Sequence, residues 1–192
     1  KTIAVFGTGK IGAAVIRNLS GFGPKILAYD IYRNPEIEHL VEYYDNPLEL
    51  VRRADILTFH LPLLPETHHL VNRETIAQLK DGVFIVNTSR GGLLDTEAVI
   101  DGLKSGKIGY LAIDVYEVED ELFFQDLSNE ILTDDVFARL LTFPNVLVTG
   151  HQAFLTDRAL HNIAQTTLQN LREIAASGHS DNQVLLTEFT NR

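Results

Sequence analysis

Residues 2–12 read Thr2-Ile3-Ala4-Val5-Phe6-Gly7-Thr8-Gly9-Lys10-Ile11-Gly12. A short run rich in β-branched and aromatic residues ends on a glycine, and three glycines spaced G-x-G-x-x-G lead into a helical pattern. Position matters more than the pattern, because the fingerprint is meaningful only between a strand and a helix. There Gly7 permits a tight turn, Gly9 admits a pyrophosphate close to the backbone, and Gly12 lets helix and strand pack closely. The helix N-terminus then offers N–H groups to the anion. A glycine-rich turn without a ligand is the bland alternative.

Working outward, further short apolar runs at residues 25–29, 55–60, 83–87, 110–115 and 146–149 read as buried strands. Between them lie helical patterns with start signals: Asn46-Pro47 before residues 48–54, Asn72 before 73–80, Asp95 before 96–103. Strand and helix in alternation imply an α/β fold with a doubly wound parallel sheet. Residues 115–135 break the rhythm: Glu117, Glu119, Asp120, Glu121, Asp126, Glu130, Asp134 and Asp135 occur there with no lysine or arginine, which reads as an exposed acidic loop. A last long helix is expected over 157–176, with Leu160, Ile163, Ala164, Leu168 and Leu171 along one face, and a loosely ordered tail after Gly178.

Bulk properties narrow the function. The 192 residues are 45% hydrophobic and carry a formal net charge of −10, enough for one sizeable core and ill suited to a nucleic-acid backbone. Cysteine is absent, which fits a reducing compartment, and cytoplasm is the expectation. No apolar run approaches the roughly 20 residues of a membrane span, and no signal peptide is visible. The chain opens on Lys1 and runs straight into a strand, so it is expected to start inside a longer protein.

Several side chains stand where open parallel sheets present ligands, just past the carboxyl ends of strands. Asp30 ends the second strand, where a carboxylate accepts hydrogen bonds from a ribose and repels a 2′-phosphate. That favours NAD over NADP, although Arg33 is near and Asp30 could simply cap the next turn. Arg90, in Asn87-Thr88-Ser89-Arg90-Gly91-Gly92, carries a planar fork suited to a 2-keto acid's carboxylate; a surface ion pair is the plainer reading. His151 follows the last strand and can exchange a proton near neutral pH. Glu119 is the candidate carboxylate to orient it. The other histidines, His39, His60, His68, His69, His161 and His179, have no such setting in sequence. A metal site on His68 and His69 matches no zinc spacing, so no metal is expected.

Taken in order, GTGKIG, GFG followed by ILAYD, HLPLLPETHHLVN, NTSRGGLLDTEA, DVYEVE and PNVLVTGHQAF resemble the D-isomer-specific 2-hydroxyacid dehydrogenases. The likeness runs from Thr2 to about Asn170, and residues 122–156 are similar to the bacterial fermentative D-lactate dehydrogenases within that family. The resemblance implies an NAD-binding Rossmann fold over 1–150, with 151–192 as a helix and tail leading back toward a substrate domain that is largely missing. It implies reduction of a 2-keto acid, pyruvate first, with NADH. Arg90 would orient the substrate, His151 would be the acid/base and Glu119 its partner. For the cofactor it implies Gly7, Gly9, Lys10, Ile11 and Gly12 at the pyrophosphate, Asp30 at the ribose, Leu61 and Thr67 at the flank, and Thr88, Ser89, Arg90 and Asp114 toward the nicotinamide. Leu61 stands where relatives often have Cys or Val, and Thr67 where some have Asn. A homodimer or larger assembly follows from the same likeness. If Lys1 were the true start, the chain would bind NAD yet catalyse poorly. The competing reading is a non-catalytic NAD(H)-sensing module, against which the retained Arg90, Glu119 and His151 weigh.

Overall fold

The computed structural model describes residues 1–119, 122–124, 126 and 131–184; Asp120, Glu121 and Glu130 of the acidic run and the tail from 185 onward lie outside the described residues. The chain forms two compact units, Lys1–His151 and Gln152–Arg192.

The first unit is built on seven strands: β1 (Thr2–Phe6), β2 (Lys25–Tyr29), β3 (Glu42–Tyr43), β4 (Ile56–Phe59), β5 (Val83–Asn87), β6 (Ile108–Ile113) and β7 (Val146–Val148). All pair in parallel, in the order β3-β2-β1-β4-β5-β6-β7. The chain winds outward from β1 to β3, then returns past it to β4 and winds the other way. That reversal opens a crevice at the carboxyl ends of β1 and β4. Successive side chains of β1 serve opposite faces, as a period of two requires: Ile3 and Val5 pack with Ala13, Ile16, Ile26 and Ile37, while Ala4 and Phe6 join the larger core with Leu27, Leu57 and Phe59.

Helices α1 (Lys10–Ser20), α2 (Pro47–Arg53), α3 (Arg73–Gln78), α4 (Thr96–Ser105) and α5 (Asp135–Leu141) flank the sheet. Four of the five start on a side chain that accepts a hydrogen bond from their free N–H groups: Asn46 from Leu48, Asn72 from Thr75, Asp95 from Ala98 and Asp134 from Phe137. Helix α1 differs. Its cap is Gly9, no side chain bonds its first turn, and no acidic residue lies there. In the second unit, α6 (Asp157–Ser177) is capped by Thr156 and ended by left-handed Gly178. Among the described residues no helix is long and apolar enough to cross a membrane.

Four details depart from the sequence expectations. Strand β6 begins at Ile108, ahead of the expected 110, because Gly109 packs against Gly82, where an added Cβ would lie 2.7 Å from the Gly82 carbonyl oxygen. The two-residue β3 and helix α5 were not expected. The acidic run is not wholly an exposed loop: Val115 and Tyr116 are buried, and the Tyr116 hydroxyl donates to Asp134 at 2.9 Å.

Candidate active site

At the carboxyl end of β1, Gly7 adopts φ 95°, and a Cβ there would fall 2.6 Å from the His60 backbone. A Cβ on Gly12 would fall 1.9 Å from the Gly7 carbonyl oxygen. Both glycines are therefore fixed by close approach. Gly9 is the opposite case, since nothing lies within 4 Å of the place its Cβ would take. Open space beside an uncapped helix N-terminus is a cradle for a pyrophosphate, whose oxygens would take the hydrogen bonds that no side chain makes. Lys10 and Ile11, both exposed, begin that helix.

Asp30 turns toward the same place. One of its carboxylate oxygens accepts from the Thr8 N–H at 2.6 Å, the other from the Tyr32 N–H at 3.0 Å. It thus both fastens the glycine turn and caps its own. Arg33 is held elsewhere, 2.6 Å from Asp45 and over the Tyr43 ring. Asn34, which the sequence reading passed over, donates to the Thr8 carbonyl at 3.0 Å and locks the turn from the other side.

After β4 the chain passes through His60, whose ring meets the Thr58 hydroxyl at 3.0 Å and whose pKa burial lowers to about 4. Leu61 is buried, and its carbonyl accepts from the Ser89 hydroxyl at 2.5 Å. Thr67 spends its hydroxyl on its own loop, donating to the Pro62 carbonyl at 2.7 Å and accepting from the Leu64 N–H at 2.8 Å.

The edges of β5, β6 and β7 are laced together just beyond their ends. The Asp114 N–H donates to the Asn87 carbonyl at 2.9 Å, and the His151 N–H to the Asp114 carbonyl at 2.6 Å. The Thr149 hydroxyl donates to the Asp114 carboxylate at 2.5 Å. Asn87 is fully buried; its amide donates to the Arg90 carbonyl at 2.8 Å and accepts from the Ser89 N–H at 3.1 Å, knotting the Thr88–Ser89–Arg90 turn. The Arg90 and His151 loops therefore rise from one edge with a single strand between them, roughly 10 Å apart at their bases on ordinary strand spacing. The Arg90 guanidinium is exposed, makes no ion pair among the described residues, and donates to the Ser89 carbonyl at 2.7 Å.

His151 Nδ1 lies 3.0 Å from Glu119 Oε1, and Glu119 Oε2 accepts from the Tyr116 N–H at 3.0 Å. Both partners are partly buried, with side-chain exposures of 33% and 16%, so solvent screens the pair only in part. His151 has φ 52°, a left-handed conformation uncommon for a non-glycine residue and held here by the ladder to Asp114. Tyr116, which positions Glu119, has its hydroxyl pKa pushed up by burial and by Asp134. A Cβ on Gly91 would fall 2.0 Å from the Tyr116 carbonyl carbon, so the Arg90 loop lies directly against the Glu119 loop. The structure thus brings Glu119 to His151, and seats Arg90 on the same edge with no hydrogen bond or ion pair from its guanidinium to either. The supporting Asn87, Gly91, Tyr116 and Thr149 escaped the sequence reading; the one available signal was a polar Asn87 closing an otherwise apolar strand. No group of three or more His, Asp or Glu among the described residues is arranged to hold a metal.

The family model described as D-isomer specific 2-hydroxyacid dehydrogenase, NAD binding domain, matches residues 1–153. The chain belongs to that family. A 2-hydroxyacid dehydrogenase homolog of Haemophilus influenzae is 54% identical over 185 residues, and the D-lactate dehydrogenase of Escherichia coli 51% over 186; each alignment covers 96% of this chain and 56% of the relative. Among solved structures, a D-lactate dehydrogenase of Treponema pallidum superimposes with a TM-score of 0.90 at 34% identity, covering 96% of this chain and 56% of that one. The chain spans about half the length of the curated relatives it matches. As a 2-hydroxyacid dehydrogenase NAD-binding domain it takes NAD as its cofactor, and the open cradle at Gly9 fits that group.

Proposed function

We propose that the complete protein reduces a 2-keto acid, pyruvate first, to the D-2-hydroxy acid. The observation that carries this reading is the Glu119–His151 pair, 3.0 Å apart at Nδ1, on the same sheet edge as Arg90. With Nδ1 engaged, Nε2 is the ring atom left to face a substrate. The carboxylate fixes the ring's orientation, so that Nε2 can deliver a proton to a substrate oxygen.

Arg90 supplies the other anchor. Its side chain can swing from the Ser89 carbonyl to take a carboxylate in two parallel hydrogen bonds, placing the neighbouring ketone toward His151. When bound, the reduced nicotinamide supplies the hydride that adds to the ketone carbon. His151 would give its Nε2 proton to the carbonyl oxygen, which stays bonded to carbon and becomes the alcohol hydroxyl of the product, and the imidazole ends neutral. Gly7, Gly9, Lys10, Ile11 and Gly12 would hold the pyrophosphate and Asp30 the ribose. Leu61 and Thr67 would wall one flank, with Thr88, Ser89 and Asp114 on the nicotinamide side. Residues 1–150 would form the cofactor-binding part and 151–192 would lead back toward a substrate lobe. The complete protein would assemble as a homodimer or larger, which sedimentation velocity checks.

The test is a steady-state assay of the complete protein with pyruvate and NADH. Turnover that is lost in Arg90→Gln and in His151→Ala supports the reading. Tight NADH binding with no turnover on several 2-keto acids overturns it in favour of a sensing module.

A further inference from the structure

The Glu119–His151 pair has a counterpart two residues away. His69 Nε2 lies 2.7 Å from Glu117 Oε1, while Glu117 Oε2 accepts from the Thr96 N–H at 3.0 Å and from its hydroxyl at 2.5 Å. Thr96 is the first residue of α4, whose free N–H groups and dipole favour a carboxylate at that spot. Every oxygen of Glu117 is thereby committed, one to a helix start and one to an imidazole.

His69 is fixed just as firmly. It has φ 50°, and with His151 it is one of two non-glycine residues at positive φ among the described residues. Such a conformation persists only where the surroundings over-determine it. Here its N–H donates to the Gly92 carbonyl at 2.8 Å, its carbonyl accepts from the Asn72 amide at 3.1 Å, and its ring stacks on His68 at 3.8 Å. The strained backbone aims the ring at Glu117.

The connections decide what this does. Gly92 is two residues beyond Arg90, and Glu117 is two residues before Glu119. One side chain and its backbone therefore join three segments: the loop after β4, the Arg90 loop and the Glu119 loop. Where the last two touch, Gly91 lies against the Tyr116 carbonyl with no side chain between them to set their separation. Backbone contact limits how near the two loops come, and the His69 bonds to Glu117 and Gly92 clamp them there from outside.

We propose that His69 is a positioning residue: through Glu117 and Gly92 it sets the placement of Arg90 relative to the Glu119–His151 pair. The proposal rests on the reaction assigned above. His69 reaches no reacting atom in it and holds the loops that do.

Three variants of the complete protein test it. His69→Leu removes the bond to Glu117; His69→Asn keeps a residue tolerant of positive φ but is too short to reach; His69→Gln keeps a donor at about the right distance. With loops displaced by around an ångström, kcat in the Leu and Asn variants should fall about tenfold or more, while NADH affinity stays within about threefold and Gln recovers most of the rate. Gln as impaired as Leu, or rate, NADH affinity and melting temperature all falling in step, overturns the proposal, as do Leu and Asn variants at wild-type kcat. Should the wild type reduce no 2-keto acid, the assigned reaction fails and the His151 imidazole NMR signals decide. Nitrogen shifts altered in His69→Leu and kept in His69→Gln support the clamp; shifts unchanged in His69→Leu overturn it.

Discussion

Replacing Gly91 with alanine perturbs the contact between the Arg90 loop and the Glu119 loop by one methyl group. Gly91 opens a 3-10 turn and does not have positive φ, so alanine meets no conformational barrier there. The cost is collision: the new Cβ would lie 2.0, 2.2 and 2.4 Å from the Tyr116 carbonyl carbon, its oxygen and the Glu117 nitrogen. All three are backbone atoms of a segment held by Asp134, Thr96 and His69. Ordinary contact starts at 3.4 Å, so the Tyr116–Glu117 peptide must retreat by roughly 1.4 Å. Overpacking of this kind costs about 1–3 kcal/mol, which lowers the melting temperature by roughly 3–10 °C in a domain of this size. The same retreat pulls Glu119 from His151 by more than their 3.0 Å bond can absorb, and an error near 1 Å costs on the order of 100-fold in kcat. The assay is a thermal melt beside steady-state kinetics on the complete protein. Gly92→Ala is the control, since the nearest atoms to its Cβ belong to side chains: Leu63 carbons at 3.0 and 3.3 Å, which can rotate away, and His68 Cδ2 at an ordinary 3.6 Å. Gly91→Ala with wild-type melting and kcat, or no worse than Gly92→Ala, would refute the argument that these loops are set by backbone contact.

The glycine turn gives a paired prediction: Gly12→Ala, with its Cβ 1.9 Å from the Gly7 oxygen, should destabilise the fold by about 2–3 kcal/mol, whereas Gly9→Ala, with open space around it, should cost under about 1 kcal/mol and still weaken NADH binding at least tenfold. Melting curves and a fluorescence titration with NADH separate these outcomes; a Gly9→Ala chain that binds NADH normally would contradict the cradle. His60 gives a pH prediction. Folded, its pKa is held down to about 4 by burial against an ordinary 6.5, so between those values the unfolded chain binds the extra proton. Stability is full above about pH 6.5 and is lost as pH falls toward 4, by about 1–2 kcal/mol once the ring's partial exposure is discounted. Melts from pH 7.5 to 4.5 should show a slope that His60→Gln reduces, and parallel slopes would remove His60 as its source.

What the sequence made legible depended on the range of the interaction. Strands β1, β2 and β5 stand at their expected bounds because each is a dense apolar run that needs only its own residues to be seen. Strand β3 pairs through two residues, Glu42 and Tyr43, too few to form a pattern. Helix α5 was hidden because Asp134 and Asp135 were counted with an acidic run, when Asp134 is a helix cap and the partner of a buried tyrosine hydroxyl.

The site divides along the same line, and for a reason that bears on how it is held. Arg90 and His151 could be picked out singly, since each is a polar side chain of fitting chemistry just past an apolar strand, whereas Glu119 is one of eight carboxylates in the acidic run and is singled out as a partner for the histidine and by the resemblance. What brings Glu119 within 3.0 Å of His151 is a set of contacts between segments remote in sequence: Tyr116 to Glu119, Gly91 to Tyr116, Asp114 to His151, His69 to Glu117. None has a periodicity or a propensity to betray it. His69 shows this best, because in sequence it is one of seven histidines, and only folding reveals a left-handed backbone and a carboxylate at 2.7 Å. Residues that do chemistry advertise it by type, whereas residues that place them are defined by neighbours. Substitutions in the second group should therefore move kcat while leaving NADH affinity nearly intact, a split that substitutions at Gly9 should reverse.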